Sequence, residues 1–270
     1  MIIRLSAKDI SFSYDNAEIL HNIDLEIGDG RVVSIVGPNG SGKSTLIKCI
    51  DRILVPSSGR VLVDRCDISE TNQMELARMI SYVPQNSPRV FPNIVFDVVL
   101  MGRRPYLGWN GSGKDEEIVW SVLGLLGLED YAMSAFTELS GGQQQKVLIA
   151  RALAQETGII LMDEPTSNLD IWHQIDVMEI IRGLVRKQEI SAVIAIHDLN
   201  MAAKYSDTIV MMKEGRIVAA GNPEVVLTKE TLASVYGIRA NVRMVNDIPH
   251  IMPLERILLR ERGMAGYVKW

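Results

Sequence analysis

The sequence predicts an α/β fold around a mostly parallel sheet, and three observations point there. Runs of β-branched and aliphatic residues such as "RVVSIVG" (31–37), "GIILMDE" (158–164) and "SAVIAIHD" (191–198) lack the alternation of a half-exposed strand. They read as strands buried on both faces. Helical patterns fall between these strands, the arrangement of a parallel sheet with crossover helices. Finally, a glycine-rich segment, "GPNGSGKST", stands where the first such strand hands over to a helix.

Taken in order, Ala7 to Ser13 alternates loosely and reads as a strand, followed by the buried run 31–37. "STLIKCIDRIL" (44–54) reads as a helix; "GRVLVD" (59–64) and "ISYVPQ" (80–85) read as short strands. From about Asn86 to Leu139 the texture becomes helical, with glycines and prolines between helices, as in an inserted subdomain. The strand texture returns at 158–164 and 191–198. Between them "IWHQIDVMEIIRGLVRKQ" (171–188) reads as a helix with Ile175, Met178, Ile181 and Val185 on one stripe. "TIVMMKEGRIVAAG" (208–221) reads as a hairpin turning at Glu214-Gly215. Near the end, "LERILLRERGMAGYVKW" suggests an amphipathic helix with Leu254, Ile257 and Leu258 inward.

Bulk composition narrows the function classes. The 270 residues are 47% hydrophobic and 23% charged, enough for a sizeable core. A formal net charge of -5 argues against a general nucleic-acid binder. Cys49 and Cys66 stand without CxxC or histidine partners and read as reduced thiols. The N-terminus turns polar too early for a signal peptide, and no apolar run approaches the roughly 20 residues of a membrane span. The expectation is a soluble or peripheral, cytoplasmic protein.

Gly37-Pro38-Asn39-Gly40-Ser41-Gly42-Lys43-Ser44 fits GxxxxGK[ST], entered by a strand and left by a helix. Glycines there let backbone N–H groups turn inward around phosphate oxygens. Lys43 can reach the β- and γ-phosphates, and the Ser44 hydroxyl can ligate Mg²⁺. In "GIILMDEP" a buried strand delivers Asp163 and Glu164 at its C-terminal end, where ligands gather in open α/β sheets. Asp163 suits a role at Mg²⁺, and Glu164 suits orienting and deprotonating an attacking water.

The ordered set "GPNGSGKST", Gln85 in "YVPQ", "LSGGQ" (139–143), "LMDEP", "SNLD" and His197 in "IAIHD" resembles ATP-binding cassette ATPases, over most of the chain from about Leu5 to Gly221. The resemblance implies a P-loop NTPase core with a mostly parallel sheet, an N-terminal antiparallel β subdomain and an inserted α-helical subdomain. In residue terms it implies an ATPase domain over 1–221, with a core at 1–85 and 140–221, a helical subdomain at 86–139, and a short extension at 222–270. It implies ATP and Mg²⁺ as ligands, held by residues 37–45 including Thr45. Tyr14 resembles the aromatic that stacks on adenine. Gln85 resembles the residue that touches Mg²⁺ or the attacking water, and His197 the side chain that contacts the γ-phosphate. Ser44, Gln85 and Asp163 would form the metal set, and Glu164, His197 and Gln85 the catalytic set.

"LSGGQQQK" looks like a second anion site, since Ser140, Gly141, Gly142 and Gln143 open a helix. A helix N-terminus contributes only about 0.3–1 kcal/mol toward an anion, so it supplements a phosphate held elsewhere. The resemblance implies that this segment faces the phosphate loop of a second copy, giving a head-to-tail homodimer in which Asp170 belongs to the crossing segment. Lys146 departs from the family, which usually has arginine there. The charge is kept and the planar fork of donors is lost. His21, His173 and His250 have no motif and read as surface or packing residues.

Nothing in the sequence resembles a fused membrane domain, so any pore would be formed by separate integral permease subunits. "VFDVVLMGRRPYLG" (95–108) and "GNPEVVLTKETLASVYGI" (221–238) are similar to cassettes of importers of iron chelates, haem and vitamin B12, with molybdate or tungstate importers close. This implies a peripheral subunit on the cytoplasmic face of the inner membrane, served indirectly by a substrate-binding protein and without a nucleic-acid partner. A short permease helix is expected in a groove beside Gln85. Arg103 and Arg104 read either as a solvated basic patch or as docking or salt-bridge residues. The competing reading is a soluble cassette ATPase that acts in protein or iron–sulfur cluster assembly without transport.

Overall fold

The computed structural model describes residues 3–15, 17–85, 93–106, 113–167, 169–188 and 190–257. Its first layer is a four-stranded antiparallel sheet. Strands β1 (Ile3–Tyr14) and β2 (Ala17–Gly28) pair along their length, and β4 (Ser58–Val63) and β5 (Cys66–Asp67) extend the sheet in the order β2-β1-β4-β5. Its second layer is a six-stranded sheet. The parallel strands are β3 (Val32–Val36), β6 (Ile80–Val83), β7 (Ile159–Asp163), β8 (Ser191–Ala195) and β9 (Thr208–Lys213). The antiparallel β10 (Arg216–Gly221) closes one edge, in the order β10-β9-β3-β8-β7-β6. The β9–β10 turn falls at Glu214-Gly215, both at positive φ, as the sequence predicts.

Strands β3, β7 and β8 are buried at every residue, which explains their lack of alternation. The period of two survives as a division between two cores. On β7, Ile159 and Leu161 join the cluster containing Leu5, Ile10, Leu46 and Ile47, against the antiparallel sheet and helix α1 (Lys43–Ile50). Ile160 and Met162 join a second cluster with Val98, Leu123, Val147 and Met178. These come from α3 (Val95–Leu100), α4 (Gly113–Leu126), α5 (Gly141–Ala154) and α6 (Ile171–Gln188). Helix α2 (Gln73–Met79), capped by the Asn72 carboxamide accepting from the Glu75 N–H at 2.9 Å, leads directly into β6. Cys49 is buried in the first core, which pushes its thiol pKa up to about 12, and Cys66 is exposed; both are free.

Three expectations need correction. Helix α1 stops at Ile50 rather than running to Leu54, because Arg52 adopts a left-handed conformation (φ 55) and turns its guanidinium to the Ile68 and Thr71 carbonyls. The buried face of α6 is Val177, Met178, Ile181, Leu184 and Val185, so Ile175 lies at the edge of the stripe. After helices α7 (Leu199–Tyr205), α8 (Pro223–Val226) and α9 (Lys229–Tyr236), the chain forms a hairpin of β11 (Ile238–Val245) and β12 (Ile248–Arg256). Leu254 is therefore on a strand, and it and Ile257 are exposed rather than inward; Leu258 lies outside the described residues. Of the readings open for Arg103, the salt-bridge one holds and the solvated patch does not: its side chain is 5% exposed and ion-paired with Asp115 and Glu156.

Candidate functional site

All the parallel strands end at one edge, and the sequence-predicted residues gather there. β3 runs into Gly37, β6 into Gln85, β7 into Asp163 and Glu164, and β8 into His197. In the loop after β3, Gly42 takes φ 99 as the residue before α1, and a Cβ there would stand 2.8 Å from Leu20 Cδ2. Only glycine takes this conformation without strain, and it aims the first N–H groups of α1 outward. The first turn of α1 carries no acidic side chain to repel an anion. Lys43 is 5% exposed and its Nζ donates to Gly37 O (2.9 Å) and Pro38 O (3.1 Å). Burial lowers its pKa, against the opposing pull of the Glu164 and Asp163 carboxylates.

Behind this loop the Ser44 hydroxyl donates to Asp163 Oδ1 at 2.7 Å, and Asp163 is buried. A residue that the sequence reading missed, Tyr82, lies beside Asp163. Burial first, and then the Asp163 and Asp51 charges, push the Tyr82 phenol above its usual range. Its only sequence signal is a tyrosine in a short strand, three residues before Gln85. Glu164 sits at φ 51, its N–H donating to Ala195 O at 3.0 Å and its carbonyl accepting from the Ser167 hydroxyl at 2.9 Å. Its carboxylate accepts from Gln85 Nε2 and shares a hydrogen bond with His197 Nε2. A backbone held at positive φ for a glutamate is strained, and such strain concentrates at functional sites.

These groups border a cleft of about 560 Å³ lined by Tyr14, Ile19, Asn39 to Thr45, Gln85, Glu164 and His197. Tyr14 is 48% exposed and stands edge-on to Phe12, with ring centroids 4.8 Å apart, leaving a face for a flat base. The donor set suits Mg²⁺: a hydroxyl, a carboxylate and the Gln85 amide oxygen are hard ligands. No group of three or more His, Cys, Asp or Glu able to hold a metal occurs among the described residues. Mg²⁺ characteristically needs only one or two protein ligands beside waters and substrate phosphates.

The segment predicted as a second anion site lies elsewhere. Ser140 caps α5 in a reciprocal box: Gln143 N–H donates to Ser140 Oγ (3.3 Å), and Ser140 N–H donates to Gln143 Oε1 (2.9 Å). Ser140, Gln143 and Lys146 line a separate cleft of about 230 Å³ with Gly127, Leu128, Tyr131, Trp172 and His173, none of which borders the phosphate-loop cleft. Lys146 Nζ pairs with Asp176 at 2.7 Å, on α6. Asp170 Oδ1 accepts from the His173 N–H (2.9 Å) and ring Nδ1 (2.8 Å), which hold its carboxyl below the usual range. Asn168 of "SNLD" lies outside the described residues. One chain thus brings residues 14, 39–45, 85, 163, 164 and 197 together and leaves 140–143 and 170 on another face.

Comparison with known proteins identifies the family. Residues 20–167 match the family model described as ABC transporter. An uncharacterized ABC transporter ATP-binding protein of Methanocaldococcus jannaschii is 47% identical over 250 residues, covering 93% of this chain and 98% of the relative. The ferric enterobactin transport ATP-binding protein of Escherichia coli is 36% identical over 259 residues, 94% of this chain and 96% of the relative. Among solved structures, a chain of a metal-chelate type ABC transporter in an inward-facing conformation superposes with a TM-score of 0.82, at 28% identity over 94% of this chain and 98% of that one. The chain belongs to the ABC transporter family, as one of its ATP-binding proteins, an ATPase whose hydrolysis is coupled to transport.

Proposed function

We propose that two copies of this chain close around two ATP molecules and drive a separate membrane permease that imports a metal chelate or a metal oxyanion. The observation that carries the two-copy part is the separation of the signature cleft from the phosphate-loop cleft within one chain. A helix start worth about 0.3–1 kcal/mol toward an anion has use only beside a phosphate already held, and here that phosphate belongs to the partner. The importer part is supported by the ferric enterobactin and metal-chelate assignments of the relatives.

In this reading Lys43 and the N–H groups of the loop at 37–45 hold the β- and γ-phosphates, and Tyr14 covers the base. Ser44, with Asp163 and Gln85, would hold Mg²⁺, which would neutralise charge on the phosphate oxygens. Glu164 accepts a proton from the attacking water, oriented by Gln85 and His197, as the water oxygen bonds to the γ-phosphorus and ADP departs. Ser140, Gly141, Gly142 and Gln143 complete the site of the other copy, with Asp170 in the crossing segment. Loss of the γ-phosphate removes the bridge between copies.

A separate groove of about 610 Å³, which Gln85 does not line, suits a short permease helix. It is lined on one side by Asp51, Ile53, Leu76 and Tyr82 and on the other by Met101, Arg104 and Arg151. Ile53 and Met101 are 52% and 39% exposed, apolar surface that a docked helix would cover. No helix among the described residues is long and apolar enough to cross a membrane, in keeping with a peripheral subunit on the inner face. A substrate-binding protein would act through the permease.

The test has two arms. Glu164→Gln should bind ATP, lose ATPase activity by about 10²–10⁴-fold and accumulate as an ATP-dependent dimer. The native protein should co-purify with a polytopic membrane protein, and a metal chelate or oxyanion should stimulate its ATPase in membranes. Full turnover in Glu164→Gln would overturn the catalytic assignment. A wholly soluble native protein that captures cluster-assembly factors would overturn the importer assignment.

A further inference from the structure

Helices α5 and α6 start side by side, and one side chain joins their first turns. A Cβ on Gly142 would stand 2.1 Å from His173 Cδ2 and 2.7 Å from both Cγ and Nε2, so the imidazole lies directly against the α5 backbone. Its other edge is tied down, with Nδ1 hydrogen-bonded to Asp170 Oδ1 at 2.8 Å. The Trp172 ring packs edge-on at 4.9 Å. One turn along both helices, Lys146 and Asp176 form a second tie at 2.7 Å. By contrast, a Cβ on Gly141 would meet only Leu169 Cδ2, at 3.9 Å.

Capping of α6 does not require the imidazole. The backbone N–H of His173 already donates to Asp170 Oδ1 at 2.9 Å, and the Gln174 N–H donates to Asp170 O at 2.9 Å. What the ring bond adds is direction: a donating Nδ1–H fixes the imidazole so that its far edge lies against Gly142. A helix position with no side chain and a ring with no freedom then form a single contact.

We propose that His173 is a positioning residue that locks the signature turn Ser140–Gly142 to the crossing residue Asp170, so that both meet a second copy of this chain as one rigid unit. This rests on the two-copy reading above. In that dimer the nucleotide of one copy is completed by Ser140 and Gly142 of the other, and Asp170 crosses the same boundary. Movement of α6 at Asp170 is transmitted through the imidazole to the start of α5 rather than absorbed between the helices. The Lys146–Asp176 pair keeps the two helices in register behind it, a role for which a point charge suffices.

The experiment uses the full chain carrying Glu164→Gln, with ATP-dependent dimer formation followed by sedimentation and binding of a fluorescent ATP analogue followed at concentrations where the chain is monomeric. His173→Ala should raise the ATP concentration for half-dimerisation about tenfold, the scale of one lost hydrogen bond to a charged group, and leave monomer binding within about twofold. His173→Asn, whose amide N–H stands where Nδ1–H does, should recover most of the loss. His173→Phe keeps the ring against Gly142 without the donor; it should be defective and supplies the same reading if the alanine variant melts without cooperativity. Dimerisation of both the alanine and phenylalanine variants at the parent ATP concentration overturns the proposal, as does an asparagine variant as defective as alanine. Failure of the parent Glu164→Gln chain to dimerise overturns the two-copy reading itself, which separates the two failures.

Discussion

Arg103 offers a quantitative test of how the helical segments are fastened to the sheet. Its side chain is 5% exposed; Nε donates to Asp115 Oδ1 at 2.9 Å, and Nη1 donates to both Ala154 O and Glu156 Oε2 at 2.7 Å. The guanidinium also lies 4.2 Å from the Tyr106 ring centroid. Asp115 is equally buried, at 9%, whereas Glu156 is 55% exposed and contributes at most about 1 kcal/mol. Arg103→Met preserves much of the length and apolar bulk, so packing changes little. Removing one member of a buried ion pair costs about 3–5 kcal/mol. For a chain of this size each kcal/mol moves the melting temperature by about 2–4 °C, so a fall of roughly 6–20 °C is expected in scanning calorimetry. The control is Arg104→Met, one residue on and exposed at the rim of the groove, which should stay within about 0.5 kcal/mol. A fall for Arg103→Met no larger than that of Arg104→Met would refute the reasoning.

Three further outcomes follow from other contacts. Gly142→Ala should destabilise by about 1–3 kcal/mol through collision with His173, and Gly141→Ala should be neutral or stabilising by up to about 1 kcal/mol; thermal melts of both, with partial rescue of Gly142→Ala by His173→Ala, check this. Tyr82→Phe removes the buried phenol beside Asp163 and should raise the Mg²⁺ concentration for half-maximal ATPase by up to about fivefold, read from a Mg²⁺ titration at saturating ATP. Burial raises the Asp51 carboxyl from the usual 3.8 to about 7. Below pH 4 both folded and unfolded chains hold its proton, and between pH 4 and 7 only the folded chain does, so its contribution to stability falls as pH rises through that window. The melting temperature of Asp51→Asn relative to wild type should therefore climb from pH 4 to 7 and level off above it.

Much of the catalytic edge was legible because its chemistry is compressed into short segments. Four apolar residues before Asp163-Glu164 read as a strand buried on both faces, and a lysine after Gly42 has a phosphate-loop explanation that a plain glycine turn lacks. Contacts between distant segments were not legible. Arg103 looks exposed beside Arg104, since nothing in "MGRRP" says that Asp115 and Glu156 approach it. His173 has no motif of its own, because its partner is a glycine thirty-one positions earlier that offers only backbone. The C-terminal hairpin was hidden by "LERILL", whose apolar spacing serves a helix or a strand end, while Asn246-Asp247, both at positive φ, is the turn signal that favours the hairpin.

The separation of the two clefts has a kinetic consequence. If each nucleotide needs residues from two chains, turnover of the isolated protein is second order in protein at low concentration, and specific activity climbs with dilution reversed. A permease that seats two copies side by side would impose an effective concentration near the millimolar range typical of short tethers. The same chain would then turn over with first-order kinetics, its activity set by occupancy of the membrane complex instead of by its abundance. Division of the site between two faces would then keep ATP consumption low wherever the chain is alone.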